Sequence, residues 1–297
     1  MRIQEFAIVV CLLAVGLVSA GDGTRPEPAA APVRIGMLAS MFRHAKPGMF
    51  NVQAEPFRSL VEAQTGLKCE LLLVPTADEL RRKMDARTIQ LGMFHGFEFA
   101  WMRLKQPALR PLTIVAPEHP MLAVLVVHNS SPATGFPDLR GKTLALPTGS
   151  RAHSRLYLER SCEALGRPPE AFFARISTPK TTEDALHDVA DNGEVNAAVV
   201  EGSAIQCYTE RNPGRAKRIK VIATSKVFPP SVVAYREGAL DADVVRRFHD
   251  GMSRAHTTAP GRQLLSLWLM TRFEPIPADY PKALTKIADA YPPPREP

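Results

Sequence analysis

Cysteine is scarce in this chain, four residues in 297, and that scarcity rules out a disulfide scaffold. Cys11 sits in the leading segment, so Cys69, Cys162 and Cys207 remain for the body, an odd number with no Cys-x-x-Cys pair. A zinc knuckle or redox motif is thereby excluded, and the three are expected as small buried side chains. Beyond the first twenty residues the apolar runs are short and broken, which excludes a polytopic membrane protein. Lys and Arg number 37 against 30 Asp and Glu, a net charge of +7 spread without any dense basic block interleaved with aromatics. Nucleic acid is therefore not the expected partner, whereas a small anionic solute remains compatible, because local field matters more than total charge. Gly-x-Ser-x-Gly, His-Glu-x-x-His, Gly-x-Gly-x-x-Gly and the phosphate loop ending in Gly-Lys-Ser/Thr are all missing. The eight histidines include no i, i+4 pair. These absences point away from an enzyme, a resident metal and a cofactor.

What is present begins with an address. Arg2 precedes an apolar stretch of about 13 residues from Phe6 to Val18, closed by Ser19 and Ala20. A helix needs about 20 apolar residues to cross a bilayer, so residues 1–20 read as a secretory signal peptide, with an uncleaved anchor as the alternative. Val9 and Val10 before Cys11 do not suit lipidation. Residues 21–32, rich in Gly, Pro and Ala, read as a flexible tether. A periplasmic or extracytoplasmic location follows. The remaining length accommodates two domains, and the 27 prolines imply many loops between short elements.

Residues 33–39, 70–74 and 89–94 are compact apolar runs of strand type, each followed by helical spacing. Phe57, Leu60 and Val61 stop at Gly66, Leu80 and Met84 follow the Thr-x-x-Glu start at Thr76, and an aromatic helix follows Gly96. Strand–helix repeats of this kind predict a parallel sheet. The pattern restarts near residue 121, with strands at 121–128, 143–146, 172–176, 195–200 and 219–223 and helices after 154 and 181. Residues 231–235 are extended again, and only helices are expected beyond them. The fold class is therefore α/β and bilobal, with hinge crossings near 121–127 and 231–235. Lobe 1 is assigned to 33–124 and 228–297, and lobe 2 to 125–227.

Open α/β sheets bind ligands beyond the carboxyl ends of their strands, so the loops lining a cleft can be named. The most informative is Pro-Thr-Gly-Ser-Arg-Ala-His-Ser at 147–154, which opens a helix after a strand. Free amides and the positive end of a helix dipole suit an anion there. Thr148, Gly149, Ser150, Arg151, His153 and Ser154 are the candidates from this loop, although Ser and Thr also cap helices for purely structural reasons. Lys180 and Thr181 open a second helix in the same lobe. Ser40, Thr76, Phe94 and His95 are the candidates from lobe 1, with Glu98 close behind His95. Glu201 ends a strand at the cleft edge, where it accepts from a ligand or caps the next helix. Arg43 and His44 complete the first loop.

The order of these segments resembles the phosphate/phosphite/phosphonate-binding family of type 2 periplasmic solute-binding proteins, over about residues 33–291. The stretches carrying the likeness are 56–66, 89–101, Phe136-Pro137-Asp138-Leu139-Arg140-Gly141-Lys142-Thr143, 196–200 and 228–237. The family's helix-opening Ser-Thr-Ser-Gly, which holds phosphoryl oxygens, corresponds to Gly149-Ser150-Arg151-Ala152, where Ser150 matches. A family Tyr after the third strand is replaced by Phe94 or His95, and another after the second strand by Thr76 or a neighbour. The resemblance implies a non-enzymatic, monomeric binding protein that captures a small phosphate- or phosphonate-like anion between its lobes for an ABC importer permease. The alternatives are a binding protein signalling to a membrane receptor kinase, and a lyase or dehydratase on the same fold.

Overall fold

The computed structural model describes residues 31–42, 49–191, 193 and 195–294. The leader, most of the tether, Arg43 and His44 lie outside them. In chain order the elements are β1 Val33–Leu38, α1 Phe50–Thr65, β2 Cys69–Val74, α2 Ala77–Asp85, β3 Leu91–Phe94, α3 Gly96–Lys105, β4 Leu109–Pro117 and β5 Ala123–His128. Then come β6 Thr143–Ala145, α4 Ala152–Glu163, α5 Pro169–Phe172, β7 Arg175–Ser177, α6 Thr182–Ala190, β8 Ala197–Glu201, α7 Gly202–Arg211, α8 Pro213–Ala216 and β9 Ile219–Thr224. The chain closes with β10 Ser231–Arg236, α9 Ala242–Ser253, α10 Ala259–Leu267, β11 Met270–Glu274 and α11 Tyr280–Ala290.

Two sheets result. The first has the order β11-β4-β10-β3-β1-β2 and the second β7-β6-β8-β5-β9. β1, β2 and β3 are parallel, as are β6, β7 and β8, but β10, β4 and β11 run antiparallel to their neighbours, and so does β5 to β8 and β9. The sheets are therefore mixed where the sequence pattern predicts parallel ones. β4 and β11 are the strands that pattern misses, and β11 corrects the expectation of helices alone after residue 235. In β4, Pro111 interrupts the apolar alternation; the pairing with β10 shifts register between Val233 and Ala234, which is where a sheet tolerates a proline. Residues 172–176 likewise divide into the end of α5 and the start of β7.

Each sheet is covered on both faces, as strands of near-continuous apolar sequence require. Ile35, Met37, Leu91, Met93 and Val233 pack with Phe57, Val61, Phe248 and Leu264 of α1, α9 and α10. Val124, Val126, Ala198 and Val200 pack with Leu186, Val189 and Tyr208 of α6 and α7. The opposite faces share one apolar cluster that runs from Leu38, Phe94 and Leu80 through Met121 and Phe228 to Leu125, Leu144 and Val199.

The antiparallel strands explain how the chain passes between sheets. β5 lies beside β8 with Ala123 opposite Glu201, and β10 lies beside β3 with Val232 opposite Phe94. Both strands that enter a sheet after a crossing thus start at the rim where the parallel strands end. The crossings themselves pair at Met121 and Phe228, whose amide donates to the Met121 carbonyl at 2.7 Å. The change of sheet falls at this bridge, a few residues before the extended segments that the sequence nominates.

A third link lies at the carboxyl end. Trp101 Nε1 of α3 donates to the Tyr291 carbonyl at 2.8 Å, and Arg160 of α4 donates to the Pro292 carbonyl at 2.7 Å. The Tyr291 ring stacks on Phe228 with centroids 4.9 Å apart, and its hydroxyl accepts from the Lys226 amide. Residues following α11 therefore touch both lobes and the second crossing.

Candidate functional site

His95 and Glu201 occupy matching places. Each follows directly on, or ends, a parallel strand, each is the residue before a helix start, and each is followed by a glycine pressed against a crossing. A Cβ on Gly96 would lie 2.4 Å from the Pro229 carbonyl oxygen, and one on Gly202 would lie 2.2 Å from the Leu122 side chain. Only glycine lets α3 and α7 begin this close to the crossings. The two side chains are thereby fixed at the inner rim of each lobe.

Between them stands Arg151. It is the residue before α4, its Nε lies 3.2 Å from Glu201 Oε2, and both side chains are largely buried. Its charge also reaches across to lobe 1, where it helps to hold the His95 imidazole neutral. Burial is the main cause of that depression, to a pKa of about 4, and a hydrogen bond from the ring to the Ser40 carbonyl opposes it in part. The ring lies parallel to Phe97 with centroids 5.6 Å apart, and its Nε2 is closed off from solvent without a hydrogen-bond partner.

Glu98, one turn into α3, accepts a hydrogen bond from the His95 amide, as an acid three residues after a cap does. Burial pushes its carboxyl up to about 7, and its Oε2 has no partner. The sequence mentions Glu98 only as a neighbour of His95; the cap-plus-three spacing is the signal that identifies it.

The start of α4 differs from that of α6. No side chain caps α4, whereas Thr181 accepts from the Asp184 amide at 3.0 Å and Asp184 accepts from the Thr181 amide at 3.2 Å, a reciprocal cap. Lys180 and Thr181 are exposed there. Thr148 gives its hydroxyl to the carbonyls of Thr178 and Pro179 and its amide to Pro179, which ties the 147–150 turn to the neighbouring loop. The Ser150 amide closes that turn on the Pro147 carbonyl, with Gly149 between them half-buried. His153 is buried with its ring 5.3 Å from that of Phe228, and Ser154 is buried with its hydroxyl oxygen unpartnered.

In lobe 1, Ser40 lies in the turn ending β1 and contributes its carbonyl to His95. Thr76 caps α2 by accepting from the Glu79 amide at 3.2 Å. Phe94 is fully buried against Phe99 in the core. The structure therefore brings Ser40, His95, Arg151 and Glu201 together, with the first turn of α4 alongside, while Thr76, Phe94, Thr148, Lys180 and Thr181 are engaged in caps, core or loop ties or stand apart. Glu201, which the sequence offers as a cap, makes no side-chain cap to α7.

Among the described residues no group of three His, Cys, Asp or Glu is placed to hold a metal ion. Cys69 and Cys162 are buried, with thiols pushed up to about 11 and about 12 by burial, and Cys207 is exposed, against the expectation of three buried thiols. A separate cavity of ≈ 430 Å³ beside α7 is lined by Leu122, Val124, Ile205 and Val221 and carries no acidic or basic side chain.

The family model for periplasmic substrate-binding proteins of phosphonate ABC transporters matches residues 44–280. The chain belongs to this family. No curated protein matches it in sequence. Among solved structures it is similar to XAC2383 from Xanthomonas citri bound to chloride ion, at 15% identity and a TM-score of 0.63, covering 87% of this chain and 96% of that one. A binding-protein component of an ABC phosphonate transporter from Pseudomonas aeruginosa aligns at 14% identity and a TM-score of 0.57, covering 86% and 85%. PhnD1 from Prochlorococcus marinus in complex with methylphosphonate aligns at 12% identity and 0.57, covering 86% and 97%. The fold is thus the bilobal type 2 form of periplasmic binding proteins. Membership makes this phosphonate-family protein a solute-binding component of an ABC transporter, and implies a place outside the cytoplasm. Among the described residues no helix is long and apolar enough to cross a membrane.

Proposed function

We infer that this solute-binding protein captures a small tetrahedral oxyanion of the phosphonate or phosphate type between its lobes. It acts as a monomer and hands the guest to an ABC permease from the extracytoplasmic side. The observation that carries this reading is Arg151, a largely buried guanidinium at an uncapped helix start, set between Glu201 of its own lobe and His95 of the other. A planar guanidinium suits two oxygens at once, and the first amides of α4 supply further donors. Glu201 occupies the guanidinium when no guest is there, so the guest takes over part of an existing ion pair rather than meeting a bare charge. Contacts to both walls favour the arrangement in which the lobes meet, which makes closure a shift of population.

A thermal-shift screen of phosphate, phosphite, methylphosphonate and sulfate tests the reading. A ligand at about 100 times its Kd adds about 2.7 kcal/mol to the folded state. The expected result is a rise in melting temperature with a phosphorus oxyanion that Arg151→Ala abolishes. No response to any of them, or a response undiminished in Arg151→Ala, would overturn it.

A further inference from the structure

Resting on that reading, we propose that His95 selects the guest's protonation state, so that the cleft takes a tetrahedral oxyanion still carrying an O–H and discriminates against a sulfonate of the same shape. The starting observation is an orphan acceptor. The Ser40 carbonyl takes the proton-bearing nitrogen of the imidazole, and Nε2 is left enclosed with a lone pair and no donor facing it. This partner assigns the tautomer with hydrogen on Nδ1. The neighbours keep the ring in that form: Phe97 stacks on it, the Arg151 charge faces it from α4, and its environment holds it neutral at any pH well above about 4. An imidazole in this state only accepts.

A fully ionised oxyanion brings acceptors alone. Its oxygens satisfy Arg151 and the α4 amides, but one of them would meet the Nε2 lone pair, leaving two acceptors opposed in a site closed to water. A hydrogen phosphonate offers the missing donor: its O–H donates to His95 Nε2 while its remaining oxygens accept from Arg151. Methylphosphonate and methanesulfonate match in size and shape and differ in this respect, because the sulfonate carries no proton near neutrality. Other titratable groups near the ring are Glu98 on α3, whose carboxyl titrates near neutrality, and Glu201, which faces Arg151. Any effect of theirs acts on both ligands and cancels in a ratio of affinities.

The experiment is calorimetric titration of the protein with methylphosphonate and with methanesulfonate over a pH series spanning the second ionisation of the phosphonate. Below that ionisation the phosphonate should bind roughly tenfold or more tightly than the sulfonate, the cost of one unmet buried acceptor. Above it the ratio should fall by up to about tenfold per pH unit, as binding has to recover a proton. In His95→Asn, whose amide donates as well as accepts, the ratio should shrink toward one while phosphonate binding persists. The wild-type pH series needs no variant to fold. Equal, Arg151-dependent binding of both ligands, or a ratio flat with pH, would overturn the role of His95 and leave the anion seat standing. Failure of both ligands to bind would overturn the seat itself, and the inference with it.

Discussion

His95 and Glu201 show what one backbone device does with two different side chains. Each precedes a helix, and each is locked by a glycine against a crossing. In lobe 2 the side chain is a carboxylate paired with Arg151; in lobe 1 it is a neutral imidazole with an unmet acceptor. Matching geometry thus gives the cleft one ionic wall and one uncharged hydrogen-bonding wall. The difference lies in what the side chains meet. Glu201 has a cation at hand that compensates its burial, while His95 has a carbonyl on one nitrogen and a cation nearby, which drive it to shed its proton.

The glycines offer the sharpest way to break this equivalence. An added methyl at Gly96 runs into the main-chain carbonyls of Pro229 and Pro230, which cannot turn aside, whereas at Gly202 it meets mainly the end of the Leu122 side chain. Gly96→Ala should therefore cost about 3 kcal/mol in urea unfolding and Gly202→Ala about 1 kcal/mol. Equal costs would deny that lobe 1 is held by backbone and lobe 2 by a yielding side chain.

Stability against pH separates the walls next. Glu98, raised to about 7, binds a proton more tightly folded than unfolded, so its contribution is present at low pH and is lost as pH rises from the ordinary carboxylate range through about 7. His95, lowered to about 4, binds a proton less tightly folded, so its contribution is lost as pH falls from its unfolded value through about 4. The two slopes oppose each other over the shared interval and leave the wild type nearly flat there. Glu98→Gln, which keeps the acceptor for the His95 amide, should expose a rise of up to about 3 kcal/mol between acid and neutral pH. A profile as flat as the wild type's would contradict the assignment.

Smaller effects concern lobe 2. Glu201→Gln releases Arg151 from its internal partner and should tighten methylphosphonate binding about tenfold while lowering the melting temperature of the free protein. Weaker binding in that variant would mean that Glu201 serves the guest directly. Thr181→Ala removes the cap of α6 and should cost about 1 kcal/mol without altering ligand affinity. A loss of affinity there would move the seat from α4 toward α6.

Much of this arrangement was legible in the residues. Thr76 and Thr181 announce their helices through acids at cap spacing, and the apolar runs at β1, β2, β3 and β8 carry enough β-branched or continuous apolar sequence to be read as strands. His95, Arg151 and Glu201 stand at strand ends, where the architecture puts ligands. The antiparallel strands were not legible: β4 is interrupted by Pro111, and Met270-Thr271-Arg272-Phe273-Glu274 in β11 offers a single fully buried side chain as an edge strand. Nor does local spacing reveal that Arg151 meets Glu201, fifty residues away, or that Tyr291 links α3, α4 and the second crossing. Those contacts arise from packing between distant segments, and no period in the sequence encodes them.

The most direct measurement is a crystal structure of the protein grown with methylphosphonate. The account expects the phosphonate between the starts of α3 and α4, two of its oxygens on the Arg151 guanidinium and the third within hydrogen-bond distance of His95 Nε2. A phosphonate seated at Lys180 and Thr181, or one bound to lobe 2 with His95 still unpartnered, would contradict it.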